Sequence, residues 1–176
     1  NFTKLLAEFR RQLDALGRGY ILTAFLPAAP SKVDAGFEVS KIFRYLDWGT
    51  VQGYDLHGAW EATTNHQSNL FPSPADPTSP RFSVSSTIAA YLVRGAPANE
   101  LVVGMPFYSR GWTGVPSANH GLYQSSTGPA AGTWEAGAED YKVVKTLVGN
   151  GFVRYNDLRA GASWLYNPTT GTFWTF

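Results

Sequence analysis

Val51-Gln-Gly-Tyr-Asp-Leu-His-Gly-Ala-Trp60 begins apolar, as the end of a buried strand does. It then sets a phenol, a carboxyl, an imidazole and an indole within seven residues: Tyr54, Asp55, His57 and Trp60. Gly53 precedes the polar pair and Gly58 closes it, where backbone bends tightly or another group comes close. A strand that turns polar as it ends is the pattern by which parallel α/β proteins present side chains at the carboxyl rim of a sheet.

The neighbouring segments supply the rest of such a sheet. Phe2, Leu5, Leu6, Phe9, Leu13 and Leu16 recur at helical spacing, with Asn1 placed to cap the helix and Gly17 to follow it. Tyr20 to Leu26 is continuously apolar up to Pro27, which predicts a parallel strand buried on both faces. Asp34 is placed to cap a second helix with Phe37, Ile42 and Phe43 inward, and Trp48 to Asp55 is the second strand. Phe71 to Arg81 carries four prolines and reads as an ordered surface loop. Ser83 precedes a helix with Val84, Ile88, Tyr91 and Leu92 on one face, ended by Gly95, and Leu101 to Met105 is a third strand. Helix and strand alternate throughout, which implies parallel strands joined by right-handed crossovers. A doubly wound sheet and part of an eightfold barrel both satisfy this order. No Gly-rich phosphate loop follows any strand, which disfavours a nucleotide-binding open sheet.

After Trp112 the composition changes. Residues 113 to 133 are rich in Gly, Ser, Thr, Pro and Ala. A helix is expected from Glu139 to Val148, with Tyr141, Val144, Leu147 and Val148 inward. A strand is expected from Phe152 to Tyr155, and a hairpin from Ser163-to-Asn167 and Thr172-to-Phe176 around Pro-Thr-Thr-Gly. The expected organisation is therefore an α/β unit over 1–112 and a small α+β unit over 113–176.

Composition narrows the function. The chain has 176 residues, 44% of them hydrophobic and 15% aromatic, with a net charge of +1. It lacks any Lys/Arg run, so nucleic acid and anionic membrane are not expected partners. There is no cysteine, which excludes disulfides, thiolate nucleophiles and zinc–thiolate sites. Both ends read as interrupted, the first within a helix and the last on an apolar run.

Among residues that carry chemistry, Asp55 stands at the mouth of a strand, as a group that accepts a hydrogen bond from substrate or orients a neighbour. A turn-capping Asp has the same sequence signature. Tyr54 and Asp55 alternate, so both reach one ligand only if the strand ends or bulges at Gly53. His57 reads as a satisfied structural histidine. His57, His66 and His120 show no metal-ligand spacing. Downstream, Gly104-Met-Pro-Phe-Tyr-Ser-Arg-Gly-Trp112 closes the third strand. Tyr108 and Arg110 share a face there, and Arg is a rigid fork of donors. Its alternative is a structural pairing with a carboxylate. Hydrogen-bonding groups beside flat rings suit a pyranose, which has an apolar CH face and a polar rim. No nucleophile elbow, no Ser/His/Asp order and no local pair of carboxylates suggests a self-contained hydrolytic site.

Tyr54-Asp55-Leu-His-Gly-Ala-Trp60 resembles the Tyr-Asp segment on the sixth strand of family 18 glycoside hydrolases, the chitinases. Gly104-Met-Pro-Phe-Tyr-x-Arg-Gly-Trp112 resembles their seventh-strand segment, residues 113–176 their α+β insertion domain, and Asn1 to Asp14 the helix after their fourth strand. The resemblance implies a partial (β/α)8 barrel, strands five to seven, plus that insertion. It implies a secreted enzyme acting on chitin or chitooligosaccharides without a cofactor, by a substrate-assisted route in which the N-acetyl oxygen attacks the anomeric carbon. Tyr54 and Asp55 would act on the sugar being cleaved. Gln52, Met105, Tyr108 and Arg110 would line the cleft, with Trp60 and Glu61 toward the leaving group.

Two departures stand out. The family's Asp-x-x-Asp-x-Asp-x-Glu motif, whose Glu donates the proton, has no counterpart here, and Gln52 stands where Met is usual. Residues 1–176 are therefore expected to be inactive alone, needing the remainder of the barrel, whose absence would leave sheet edges prone to aggregation. A non-catalytic chitooligosaccharide-binding lectin shares every residue named, and a free-standing α/β module with a purely structural aromatic set is the reading from outside sugar chemistry.

Overall fold

A computed structural model describes all residues, Asn1–Phe176. Its contacts fall into two units, Asn1–Gly53 with Ser85–Gly104, and Tyr54–Val84 with Met105–Phe176.

The first unit runs α1 (Phe2–Leu16), β1 (Thr23–Leu26), α2 (Pro30–Gly36), α3 (Val39–Ile42), β2 (Trp48–Gln52), α4 (Val84–Val93, counted here from Ser85) and β3 (Leu101–Gly104). The strands form a parallel sheet in the order β1-β2-β3, with Thr23 opposite Trp48 and Gly49 opposite Leu101. Asn1 caps α1, its side chain accepting from the Thr3 N–H at 3.0 Å. Leu26, Val33, Ile42, Val51 and Tyr91 are almost fully buried. Tyr91 satisfies its phenol by donating to the Pro27 carbonyl at 2.7 Å, as a buried hydroxyl must. Gly49 is required at its place, because a Cβ there would stand 2.4 Å from Leu26 Cδ1.

Several expectations change here. The strands are shorter: β1 starts at Thr23 and β2 stops at Gln52. Asp34 does not cap α2, which begins at Pro30 after Ala29; it forms a bidentate pair with Arg94 at 2.7 and 2.9 Å. The strands are not buried on both faces, since Phe25, Val102 and Val103 are all more than 40% exposed. Of the apolar set on α1, Leu6 is buried while Leu5, Phe9 and Leu16 face solvent, because only one edge of that stripe meets the core.

The second unit is built on β4 (Tyr108–Thr113), with β5 (Gly128–Pro129), β6 (Ala138–Asp140), α5 (Tyr141–Val144), β7 (Val153–Asp157), β8 (Ala162–Asn167) and β9 (Thr172–Thr175). All pairings are antiparallel, in the order β5-β4-β9-β8-β7, with β6 also paired to β4. The stretch Gly104–Trp112 is thus two strands rather than the end of one. β3 stops at Gly104, and after Met105-Pro106-Phe107 the chain enters a different sheet, where Arg110 lies opposite Thr175 and Trp112 opposite Phe173. A boundary after Trp112 would cut through β4, so the α/β and α+β parts divide elsewhere than expected. The hairpin of β8 and β9 forms as expected, its turn held by Asn167, whose carboxamide oxygen accepts from Thr169 and Thr170 N–H. The expected helix shrinks to one turn. Glu139 and Asp140 belong to β6, and the Glu139 carboxylate accepts from the Thr133 and Asp140 N–H groups. Of its four apolar residues only Val144 is buried. Trp112, Trp164 and Phe173 form one core, and Val144, Leu165 and Trp174 another. No helix is long and apolar enough to cross a membrane.

Candidate active site

Asp55 lies just beyond β2, as the Gly53 break suggested, and its backbone is left-handed, with φ of 53°. That region costs most residues about 1–2 kcal/mol, while Asp and Asn visit it more readily. Such strain persists only where surroundings enforce it. Here the Asp55 side chain is engaged by Arg110 on β4. Its Nε donates to Asp55 Oδ1 at 2.7 Å and its Nη2 to Oδ2 at 2.9 Å, a fork-to-fork pair. A third bond runs from Nη1 to Glu135 Oε1 at 3.0 Å. The two sequence segments singled out separately therefore converge, and Arg110 makes the carboxylate pairing that its structural reading gave.

Aromatic rings enclose this pair. The Arg110 guanidinium carbon lies 5.2 Å from the Tyr108 ring centroid and 5.3 Å from that of Trp60, within cation–π range of both. Tyr54 meets Tyr108 edge to face, their centroids 6.1 Å apart. Burial, together with the Asp55 carboxylate, raises the Tyr108 phenol well above its usual range, so it stays a neutral donor. The bond to Asp55 likewise holds Arg110 firmly protonated. Tyr108, Arg110, Trp134, Glu135 and Glu139 border an open hollow of ≈ 360 Å³. It brings together a guanidinium bonded to two carboxylates and the rings of Tyr108 and Trp134.

Other expected site residues are placed differently. Trp60 is 60% exposed and free to meet a ligand. The Glu61 carboxylate pairs with His57 Nδ1 at 2.8 Å with its side chain 37% exposed, and its carbonyl accepts from Trp112 Nε1 at 3.0 Å. His57 is 2% exposed, in keeping with a structural histidine. Met105 does not join Arg110. It borders a separate hollow with Phe107, Tyr141 and Phe176, because the chain turns from one sheet to the other between Gly104 and Tyr108. Gln52 belongs to the first unit, where its carboxamide oxygen accepts from the Ala28 N–H at 3.3 Å.

Two features escaped the sequence reading. Trp134, 80% exposed beside Arg110's hollow, sits in a Gly-rich stretch with no periodicity to mark it. The run Thr64-Asn-His-Gln67, with Asn69, is polar yet 3% exposed or less at each of these positions, and nothing local announces that burial.

Comparison with known proteins gives the family. The profile of "Glycosyl hydrolases family 18" matches residues 1–176. Chitinase A1 of Niallia circulans is 36% identical over 98% of this chain and 26% of its own length. The structure of chitinase ChiA74 from Bacillus thuringiensis superposes with a TM-score of 0.94 at 38% identity, over 99% of this chain and 31% of that one. The catalytic domain of psychrophilic chitinase B from Arthrobacter TAD20 gives 0.89 at 43% identity, over 99% and 40%. The chain spans about a quarter of the length of the first of these relatives. With a family match over its whole length, the chain belongs to the family 18 glycosyl hydrolases.

Proposed function

We propose that this chain holds the N-acetylated sugar undergoing cleavage in a chitinase whose further residues supply the proton donor. The observation that carries the reading is the Asp55–Arg110 fork, which fixes a carboxylate beside the Tyr54 and Tyr108 phenols. In this reading β1, β2 and β3 are strands five to seven of an eightfold barrel, and the antiparallel unit is the insertion that follows the seventh strand. An insoluble polymer cannot enter a cell, so the enzyme works outside it.

The proposed chemistry needs no protein nucleophile. The acetamide oxygen of the substrate forms a bond to C1 as the glycosidic C1–O bond breaks, and the departing oxygen takes a proton from a glutamic acid outside these residues. Water then opens the oxazolinium ion at C1, returning the acetamide with retained configuration. Asp55 accepts the acetamide N–H and offsets the cationic charge that develops on the ring. Tyr54 donates to the acetamide oxygen region and orients it. Arg110 keeps Asp55 aimed, and Trp60 supplies a flat face for an adjoining sugar.

The test is hydrolysis of a fluorogenic chitooligosaccharide by the intact gene product and by residues 1–176 alone. The intact product is expected to turn over with retention at C1 and to lose kcat on Asp55→Ala. Residues 1–176 are expected to be inert. Turnover by these residues alone, or an Asp55→Ala enzyme altered only in KM, would overturn the assignment.

A further inference from the structure

The buried polar run after Glu61 contains one residue that touches the main chain of both segments of the site. Gln67 is fully buried. Its backbone carbonyl accepts from the Leu56 N–H at 3.0 Å, immediately after Asp55. Its side-chain Nε2 donates to the Tyr108 carbonyl at 2.8 Å, two residues before Arg110, and lies 3.4 Å from the Thr175 carbonyl. Its backbone N–H faces Thr175 Oγ1 at 3.4 Å, and Thr175 is the residue opposite Arg110 in the β4–β9 register. Only an NH₂ group can face two carbonyl oxygens, which fixes the orientation of the amide. Gln67 Oε1 has no partner. An unpaired buried acceptor is costly, and an apolar side chain of the same length would avoid that cost at the price of the two donor contacts.

We propose that Gln67 is a positioning residue that sets the separation of Asp55 and Arg110. Asp55 lies outside any helix or strand and in a left-handed backbone conformation, so no ladder of its own holds it against β4. Gln67 provides that hold through Leu56 on one side and Tyr108 on the other. It touches neither the carboxylate nor the guanidinium, and acts by fixing the main chain from which each projects. The inference rests on the proposed role of the pair in hydrolysis, but its geometry is independent of the substrate.

The test uses Gln67→Met, which keeps length and removes the donor, and Gln67→Glu, which keeps shape and regains a donor only when protonated. Both are made in the intact gene product and compared as folded protein. Gln67→Met is expected to lower kcat by about 10- to 100-fold, as small misplacements do, with KM little changed. Little further loss is expected when Gln67→Met is added to Arg110→Lys, because the two changes damage one arrangement. Gln67→Glu is expected to recover toward the wild-type rate as pH falls, relative to wild type at each pH. A readout that needs no sugar is solvent exchange of the Arg110 Nε–H by NMR, expected to be faster in Gln67→Met at unchanged global stability. Wild-type exchange and wild-type kcat in folded Gln67→Met would overturn the proposal, as would full additivity with Arg110→Lys. If instead exchange accelerates while Asp55→Asn and Arg110→Lys leave hydrolysis intact, the positioning role stands and the catalytic reading of the pair falls.

Discussion

Asp55→Asn isolates the charge of the pair from its shape. Asn tolerates the left-handed backbone at this position about as well as Asp, so the φ of 53° adds no new cost. Of the two bonds to Arg110, at 2.7 and 2.9 Å, Asn keeps one and turns an NH₂ toward the guanidinium in place of the other. Losing one charge-assisted bond costs about 1.5–3 kcal/mol. The side chains of Arg110 and Asp55 are 16% and 22% exposed, so solvent replaces little of it. Glu135 remains at 3.0 Å, but with its side chain 65% exposed it returns at most about 1 kcal/mol. The expected net loss is about 2 kcal/mol, or about 30-fold in the folding equilibrium. Asp55→Ala should cost about 1 kcal/mol more, from backbone strain. Urea denaturation at neutral pH in the intact product measures both. On chitooligosaccharide the same Asn variant should lose about 10²- to 10³-fold in kcat, as when a donor or acceptor aimed at a transition state is removed. A wild-type urea midpoint would refute the energetic account of the pair, and a wild-type kcat its catalytic account.

Three further outcomes follow from the packing. Gly111→Ala would put a Cβ 2.3 Å from Trp174 Cε3, and Trp174 is buried; we expect a loss of about 1–3 kcal/mol, partly recovered when Trp174→Leu is added, both read by thermal melts. Gly58→Ala would put a Cβ 2.2 Å from Trp60 Cζ3. Because Trp60 is exposed its ring can swing away, so stability should hold while KM for long oligosaccharides rises; an unchanged KM would show that Trp60 is not a sugar contact. Burial lowers His66 from 6.5 to about 4, against the opposing pull of Asp157 and Asp76. The unfolded chain then takes up a proton that the folded chain refuses, so stability falls as pH drops from 6.5 through 4. The full loss is about 3 kcal/mol. His66→Gln should flatten that window in pH-dependent urea titrations, and an unaltered slope would contradict it. The carboxylates of Glu139 and Asp157, both held below their usual range once their hydrogen bonds outweigh burial, add losses at lower pH.

The sequence was most readable where a signal is local. Asn1 caps α1, Gly53 breaks β2 before the site, and the β8–β9 turn forms around Pro168 and Gly171, each because neighbours in sequence are neighbours in space. The alternation of helix and strand was enough to expect a parallel sheet. It could not show that Phe25 and Val102 stay exposed, since burial depends on what else packs there. The convergence of Asp55 with Arg110 spans 55 residues, and pattern alone only placed each at a strand end. Least legible was Thr64 to Asn69. Polar residues read as solvent-facing by default, and only distant partners such as Asp76, Tyr108 and Gly121 make this run a buried brace. Glu61 pairs with His57 four residues back while its side chain stays 37% exposed.

Strand β4 is paired along both edges, to β6 and β5 on one side and β9 on the other. One codon gained or lost within Tyr108–Thr113 would therefore move Arg110 to the face that Gly111 now leaves open for Trp174. Between Thr113 and Gly128, by contrast, the two ends are clamped opposite each other and Val115 and Leu122 are anchored in the core, so the exposed run from Pro116 to Asn119 can grow or shrink without disturbing the frame. Evolutionary change in chain length should accumulate there, while the residues on β4 stay in phase.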